Sequence, residues 1–335
     1  MPVDSLTVPI PMINQCFIEH PLSMTPEGSL NRLPVSGDLL ALHDPLRHLS
    51  GLNGAQLMSR RALVDLLNTL DHPCGGKPRQ FIEHFDPLND IDSLILQLYA
   101  YRFAAVIDTA RQGTGWPVQS RFTKSLTEHW NQAQTLVISG GLTCGSFGLD
   151  LARRVESLID QIDVIASPWG STTALFGLAQ TVSFEQDLLV MDFGATGVKR
   201  GIASKYGNRM MLLPDLSVEQ FKEGGLIRKG GLMAIFEQTR KQVDQPMPVA
   251  ISLACYLKNG HPFDYHSGIY HRLRDDAPHL ALALRDHWLP DCGFTTLALL
   301  DHDSTSAAFA FRMKQPAMMV TLGTGLGSAP CPRIA

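Results

Sequence analysis

Residues 187–203, DLLVMDFGATGVKRGIA, place a carboxylate, a hydroxyl and an ammonium around a run of small residues. The apolar stretch 188–191 reads as a buried strand that ends on Asp192. Gly194, Ala195 and Gly197 then keep the turn narrow, so that a phosphate chain could approach backbone N–H groups. In such a site Thr196 adds a hydroxyl donor, Lys199 supplies positive charge from the outgoing strand, and Asp192 holds a hydrated magnesium ion. The plainer reading of the same letters is a β-hairpin with a Gly-rich turn. Two other stretches share the design. Residues 317–328, AMMVTLGTGLGS, run from an apolar strand into Gly323, Thr324 and Gly325, and residues 135–152 run from a strand through Gly140 and Gly141 into a helix.

Taken together, the three stretches resemble the sugar kinase, Hsp70 and actin superfamily of ATPases, and within it the ROK-type and polyphosphate-dependent glucokinases. On that resemblance Asp192–Lys199 corresponds to a phosphate-1 loop, Gly323–Gly325 to phosphate-2, and Gly140-Gly141, with Gly145 and Ser146 nearby, to the adenosine motif. The order along the chain differs from the family's, because the adenosine motif precedes Asp192. A circular permutation accounts for this, with a hairpin after phosphate-2 cut between residues 332–335 and 6–11 and the old ends joined through 175–188.

The resemblance also implies a catalytic aspartate. Residues 297–312, LALLDHDSTSAAFAFR, align Asp303 with the family's general base and put His302 where the family has an Asn that meets the sugar. Asp301 is the rival base if the register slips by two, and an ordinary helix cap is the plainer role for Asp303. Ser267 or His266 aligns with a second sugar-binding Asn, and Glu19-His20 with a Glu and His that touch the sugar, at different spacing. The implied cofactors are ATP and magnesium, and the acceptor is a sugar-like small molecule, with the changed positions arguing against plain glucose. A non-catalytic actin-like regulator or scaffold fits the altered loops as well, and polyphosphate is a second candidate donor. The family's zinc-binding Cys cluster has no counterpart, so no zinc is expected.

The elements that must hold these residues are those of an α/β chain. Helices are expected over 55–71, 91–112, 122–134, 147–161 and 232–243, strands over 135–139, 188–191, 249–253 and up to 301, and a second strand pair over 201–213. Pro214–Gly225 reads as a loop and short helix. The stretch 223–231, EGGLIRKGG, is either a solvated turn or a lid whose cations meet anionic groups. By resemblance the fold is two actin-like, ribonuclease H-like domains with mixed sheets around a nucleotide cleft: 1–182 with 316–335, and 183–315. The 335 residues, 44% hydrophobic and 18% charged, suit two globular domains, and a net charge of −4 gives no footprint for nucleic acid or an anionic membrane. Six scattered cysteines, no basic cap before an apolar leader and no membrane-length apolar run point to the cytoplasm. A homodimer is compatible with this reading.

Overall fold

The computed structural model describes residues 7–9, 18–19, 22–35, 49, 51–182, 185–204 and 209–334. Cys16 and His20 fall outside them. The chain divides into two compact units: Met1–Phe17, Ser23–Pro26 and Ala174–Phe311 form one, and Ile18–Leu22, Glu27–Thr173 and Arg312–Ala335 the other. The division after Thr173 gives the helix Thr173–Thr181 almost whole to the first unit.

In the first unit a mixed sheet has the order Thr7–Pro9, Arg209–Ser217, Gly197–Ala203, Leu188–Phe193, Val249–Leu253, Leu297–His302. Leu188–Phe193 is buried along its whole length, as an apolar run covered on both faces must be. It pairs antiparallel with Gly197–Ala203 and parallel with Val249–Leu253, which pairs parallel with Leu297–His302. One face packs Leu189, Met191, Phe193, Val249 and Ile251 with Ile235 and Phe236 of the helix Lys229–Arg240 and with Trp288. Pro214 does not open a loop; it lies inside Arg209–Ser217 where the register against the next strand shifts between Val198 and Arg200. A bulge is where a strand tolerates a residue without an N–H. The buried Arg200 guanidinium donates to the Pro214 carbonyl and, at 3.1 Å, to Thr239 Oγ1.

The second unit has a four-stranded sheet in the order Leu326–Pro330, Ala317–Leu322, Thr135–Ser139, Asp163–Ala166. The long helix Asp90–Gln112, capped by Asn89, buries Tyr99 and Phe103, and Phe147 meets Phe81 and Phe85 edge-on at 5.3 and 5.2 Å. The helix expected over 55–71 is two, Gly54–Met58 and Arg60–Thr69. Ser59 is extended and caps the second, accepting from Ala62 N–H, so a hydroxyl that competes for backbone donors ends one helix and starts the next. No helix among the described residues is long and apolar enough to cross a membrane.

The two sheets share a four-strand pattern. Each has a hairpin whose first strand is followed, across the sheet, by two parallel strands. In the first unit the hairpin comes earlier in the chain than the parallel strands; in the second it comes last. The expected partner of the C-terminal strand was the segment around Leu6–Pro11. Instead Thr7–Pro9 pairs with the outer part of Arg209–Ser217, and Arg333–Ile334 pairs with Ile18–Glu19. Pro9 suits a sheet edge, and Thr7–Pro9 occupies one.

Candidate active site

The first unit gathers its polar groups at the carboxyl ends of its parallel strands, where α/β sheets bind ligands. Strand register lines up Lys199, Asp192, Ser252 and Asp301 side by side, since Asp192 pairs with both Lys199 and Ser252, and Asp301 pairs with Ser252. Residues directly opposite across strands share a face, so these four polar side chains form one row across the sheet. Ser252 Oγ donates to Asp192 Oδ1 at 2.8 Å, and Lys199 Nζ reaches Asp192 Oδ2 at 3.2 Å. Asp192 is 6% exposed. Its charge, ahead of the opposing cost of burial, raises the Lys199 pKa above the usual lysine value.

Local folding explains the fixed position of this pair. Gly194 N–H donates to Gly197 O at 3.0 Å and closes the turn, and Tyr270, fully buried, donates its hydroxyl to Gly194 O at 2.9 Å. Burial holds the Tyr270 phenol well above its ordinary pKa, with Asp192 and Asp303 adding to the effect. Thr196 is exposed at the tip.

Asp303 begins the helix Asp303–Phe309, and His302 occupies the cap position without a side-chain capping bond. Asp303 Oδ1 receives Ser304 N–H at 2.7 Å and Ser304 Oγ at 3.2 Å, and His302 Nε2 lies 3.1 Å from the same oxygen. These three contacts fall on one oxygen, leaving Oδ2 as the open edge of a carboxylate whose side chain is 32% exposed. Asp301 Oδ1 accepts His302 N–H at 2.7 Å, and burial raises its pKa. His302 is not open to an acceptor as expected: it is 7% exposed and stacked on Tyr256, ring centres 4.5 Å apart and 12° from parallel. Cys255, beside this stack in sequence, has its thiol pushed up to about 12 by burial and by Asp303. Ser267 is exposed in a loop, its N–H bonded to Tyr265 O at 2.7 Å.

The cations of 223–231 are already engaged. Arg228 makes a bidentate contact with Asp276 at 3.1 and 2.8 Å, Asp276 also receives Lys229 N–H at 2.9 Å, and Lys229 Nζ lies 5.5 Å from the Trp288 ring centre. Ile227 is fully buried, so the segment is anchored rather than free.

In the second unit, strand pairing of Thr321 with Ser139 brings the turns at Gly140-Gly141 and Gly323–Gly325 side by side. Gly140 has φ +104°, and a Cβ there would lie 2.3 Å from Leu322 O, so only glycine lets the two turns approach this closely. Gly323 N–H donates to Gly325 O at 3.0 Å, and Arg60 N–H to Gly323 O at 2.8 Å. Asn31 staples the same turn, accepting Leu326 N–H at 2.8 Å and donating to Leu326 O at 2.6 Å. Thr324 is the exposed tip, and Glu19 sits in the two-residue strand Ile18–Glu19.

Two residues of this picture escaped sequence reading. Ser252 is signalled by one hydroxyl within the apolar strand VAISL, and Asn31 by nothing local.

A magnesium ion fits the first unit's donor set in one form. Among the described residues no three His, Cys, Asp or Glu side chains stand close enough to hold a metal directly. One carboxylate already shared with Lys199 suits a hydrated magnesium held through water and substrate phosphates, the usual mode for that ion.

No family model matches the chain, and no curated protein matches it. Among solved structures it is similar to a Ppx/GppA phosphatase from Aquifex aeolicus, at 13% identity and a TM-score of 0.29, over 45% of this chain. The chain spans half the length of that protein.

Proposed function

We propose that the protein is an actin-like, circularly permuted phosphotransferase that moves the γ-phosphoryl group of ATP to a hydroxyl of a sugar-like small molecule. The observation that carries this is the division of labour between two carboxylates at one end of the first unit's sheet. Asp192 is held on both oxygens, by Ser252 and Lys199, while Asp303 is held on one and open on the other. A fixed, charge-compensated carboxylate is suited to anchoring a hydrated cation, and an open one to taking a proton from an attacking hydroxyl. Magnesium bound at Asp192 would neutralise phosphate charge. Lys199 and the Thr196 hydroxyl would face the phosphates, and Asp303 Oδ2 would accept the hydroxyl proton. The displaced hairpin order of the second unit supports the permutation, since moving its hairpin ahead of its parallel strands gives the order found in the first unit.

A second reading is a nucleotide-binding regulator without turnover. It is favoured by the turns themselves, where Gly194 N–H and Gly323 N–H are both spent on internal hydrogen bonds rather than left for phosphate. Calorimetric titration with ATP separates the readings from a protein that binds no nucleotide. Binding that weakens at least tenfold when magnesium is chelated, and again in Lys199→Met, is expected. Absence of heat with ATP in the presence of magnesium removes the proposed donor and brings polyphosphate forward.

A further inference from the structure

Tyr270 is a buried phenol whose hydroxyl reaches the turn between Asp192 and Lys199. It is fully buried, its ring meets Phe193 edge-on with centres 6.2 Å apart, and its hydroxyl donates to Gly194 O at 2.9 Å. The backbone around it is held as well: Ile227 N–H donates to Ile269 O at 2.8 Å, and Leu273 N–H to Tyr270 O at 3.0 Å. A hydroxyl fixed in this way fixes the carbonyl it meets. The described residues include no cis peptide bond, and in a planar trans peptide the C=O and the following N–H point in opposite directions. With the Gly194 carbonyl drawn toward Tyr270, the Ala195 N–H must point away from it. Among the described residues that N–H has no hydrogen-bond partner, whereas Gly194 N–H is spent on Gly197 O.

We propose that Tyr270 is the positioning residue of this turn: by holding the Gly194 carbonyl toward the core, its hydroxyl sets the Ala195 N–H outward as the backbone donor left for a phosphate oxygen. This rests on the reading of residues 192–199 as a phosphate-facing turn, and it says which amide of that turn is free to serve. Ala195 is half-buried and Thr196 beside it is exposed, so the free donor lies at the open end of the hairpin. The Lys199 ammonium stands at the same place, since a Cβ added at Gly194 would lie 3.9 Å from its Nζ. An unpaired N–H beside an ammonium suits an anionic oxygen. Glycine at 194 and alanine at 195 keep long side chains from covering the donor. The same small residues resist rotation of the peptide between them only weakly, which is why a hydroxyl from outside the hairpin is needed to set it.

The test reads that peptide bond itself. Gly194-Ala195 is one of two Gly-Ala pairs in the chain, the other being Gly54-Ala55. Protein labelled at the glycine carbonyl carbons and the alanine amide nitrogens therefore gives two signals in a spectrum that selects bonded carbon–nitrogen pairs, and Ala55→Ser assigns them. Wild type is compared with Tyr270→Phe, which keeps the ring and removes only the hydroxyl. Loss of a hydrogen bond to a carbonyl moves its carbon and the attached nitrogen upfield. The Gly194-Ala195 signal is thus expected to move upfield or split in Tyr270→Phe, while the Gly54-Ala55 signal stays. In wild type the same signal should shift when ATP or tripolyphosphate is added with magnesium, and the variant should bind that probe about tenfold more weakly, the scale of one hydrogen bond to a charged group. An unmoved signal in Tyr270→Phe overturns the proposal whatever the nucleotide does. So does a moved signal with unchanged affinity for a probe that wild type binds. A moved signal in a protein whose wild type responds to neither probe leaves the hold of Tyr270 on the peptide standing and removes the phosphate reading on which its purpose rests.

Discussion

Lys199 and Asp192 form a pair in which one partner is buried and the other is partly screened, with side-chain exposures of 9% for Asp192 and 22% for Lys199. Removing the ammonium in Lys199→Met leaves Asp192 with Ser252 alone, and a stability loss of about 2 kcal/mol is expected, between the cost for an exposed pair and a buried one. The pH dependence follows from the raised Lys199 pKa. A lysine whose folded pKa lies above its unfolded value contributes fully below the unfolded value and loses that contribution as pH rises through the folded one. Urea midpoints of wild type and Lys199→Met should thus differ by a constant amount from pH 7 to about 10 and converge above about 10.5. A gap that persists at high pH would show that the lysine stabilises through packing. At this scale the sequence was informative where chemistry is local. Asp192 and Lys199 are legible because they are the arms of one hairpin, whereas Ser252 joins them only through strand pairing across 60 positions. His302 was visible as a residue, but its burial against Tyr256 was not, because that stack joins it to a residue 46 positions away.

At the scale of elements, the helix Asp303–Phe309 is set by its contact with the helix Thr173–Thr181. Gly177 lies so near that a Cβ would fall 1.7 Å from Ser306 O and 3.0 Å from Ala310 N. A glycine inside a helix costs about 1 kcal/mol against alanine, and here close backbone approach is the compensating reason. Gly177→Ala should therefore destabilise the protein by about 3 kcal/mol instead of stabilising it, because a backbone carbonyl cannot yield as a side chain can. Thermal unfolding measures this, and an unchanged or raised midpoint would contradict the packing described. Strands and long helices were legible in their periodicity. Their interruptions were not: Ser59 splits a helix and Pro214 sits in a bulge, because a capping bond and a register shift each depend on partners that periodicity does not contain.

For the molecule as a whole, a shared four-strand pattern in two units with opposite chain order is the feature that composition could not supply and motif order only hinted at. The Gly-rich turns were found by sequence because glycine marks close approach, yet which amides remain free depends on hydrogen bonds inside each turn. The substrate positions were the least legible, since His302 turns inward and Ser267 lies on an exposed loop. In the proposed reaction Asp303 takes the proton from an acceptor hydroxyl during transfer from ATP. The measurement that tests it most directly is magnesium-dependent ATP consumption by wild type and Asp303→Asn against hexoses, amino sugars, acyl-amino sugars and polyols. Turnover with one class of acceptor is expected, with a loss of at least about 100-fold in Asp303→Asn, the range for removing a general base. Turnover in Asp303→Asn within a few fold of wild type would contradict it.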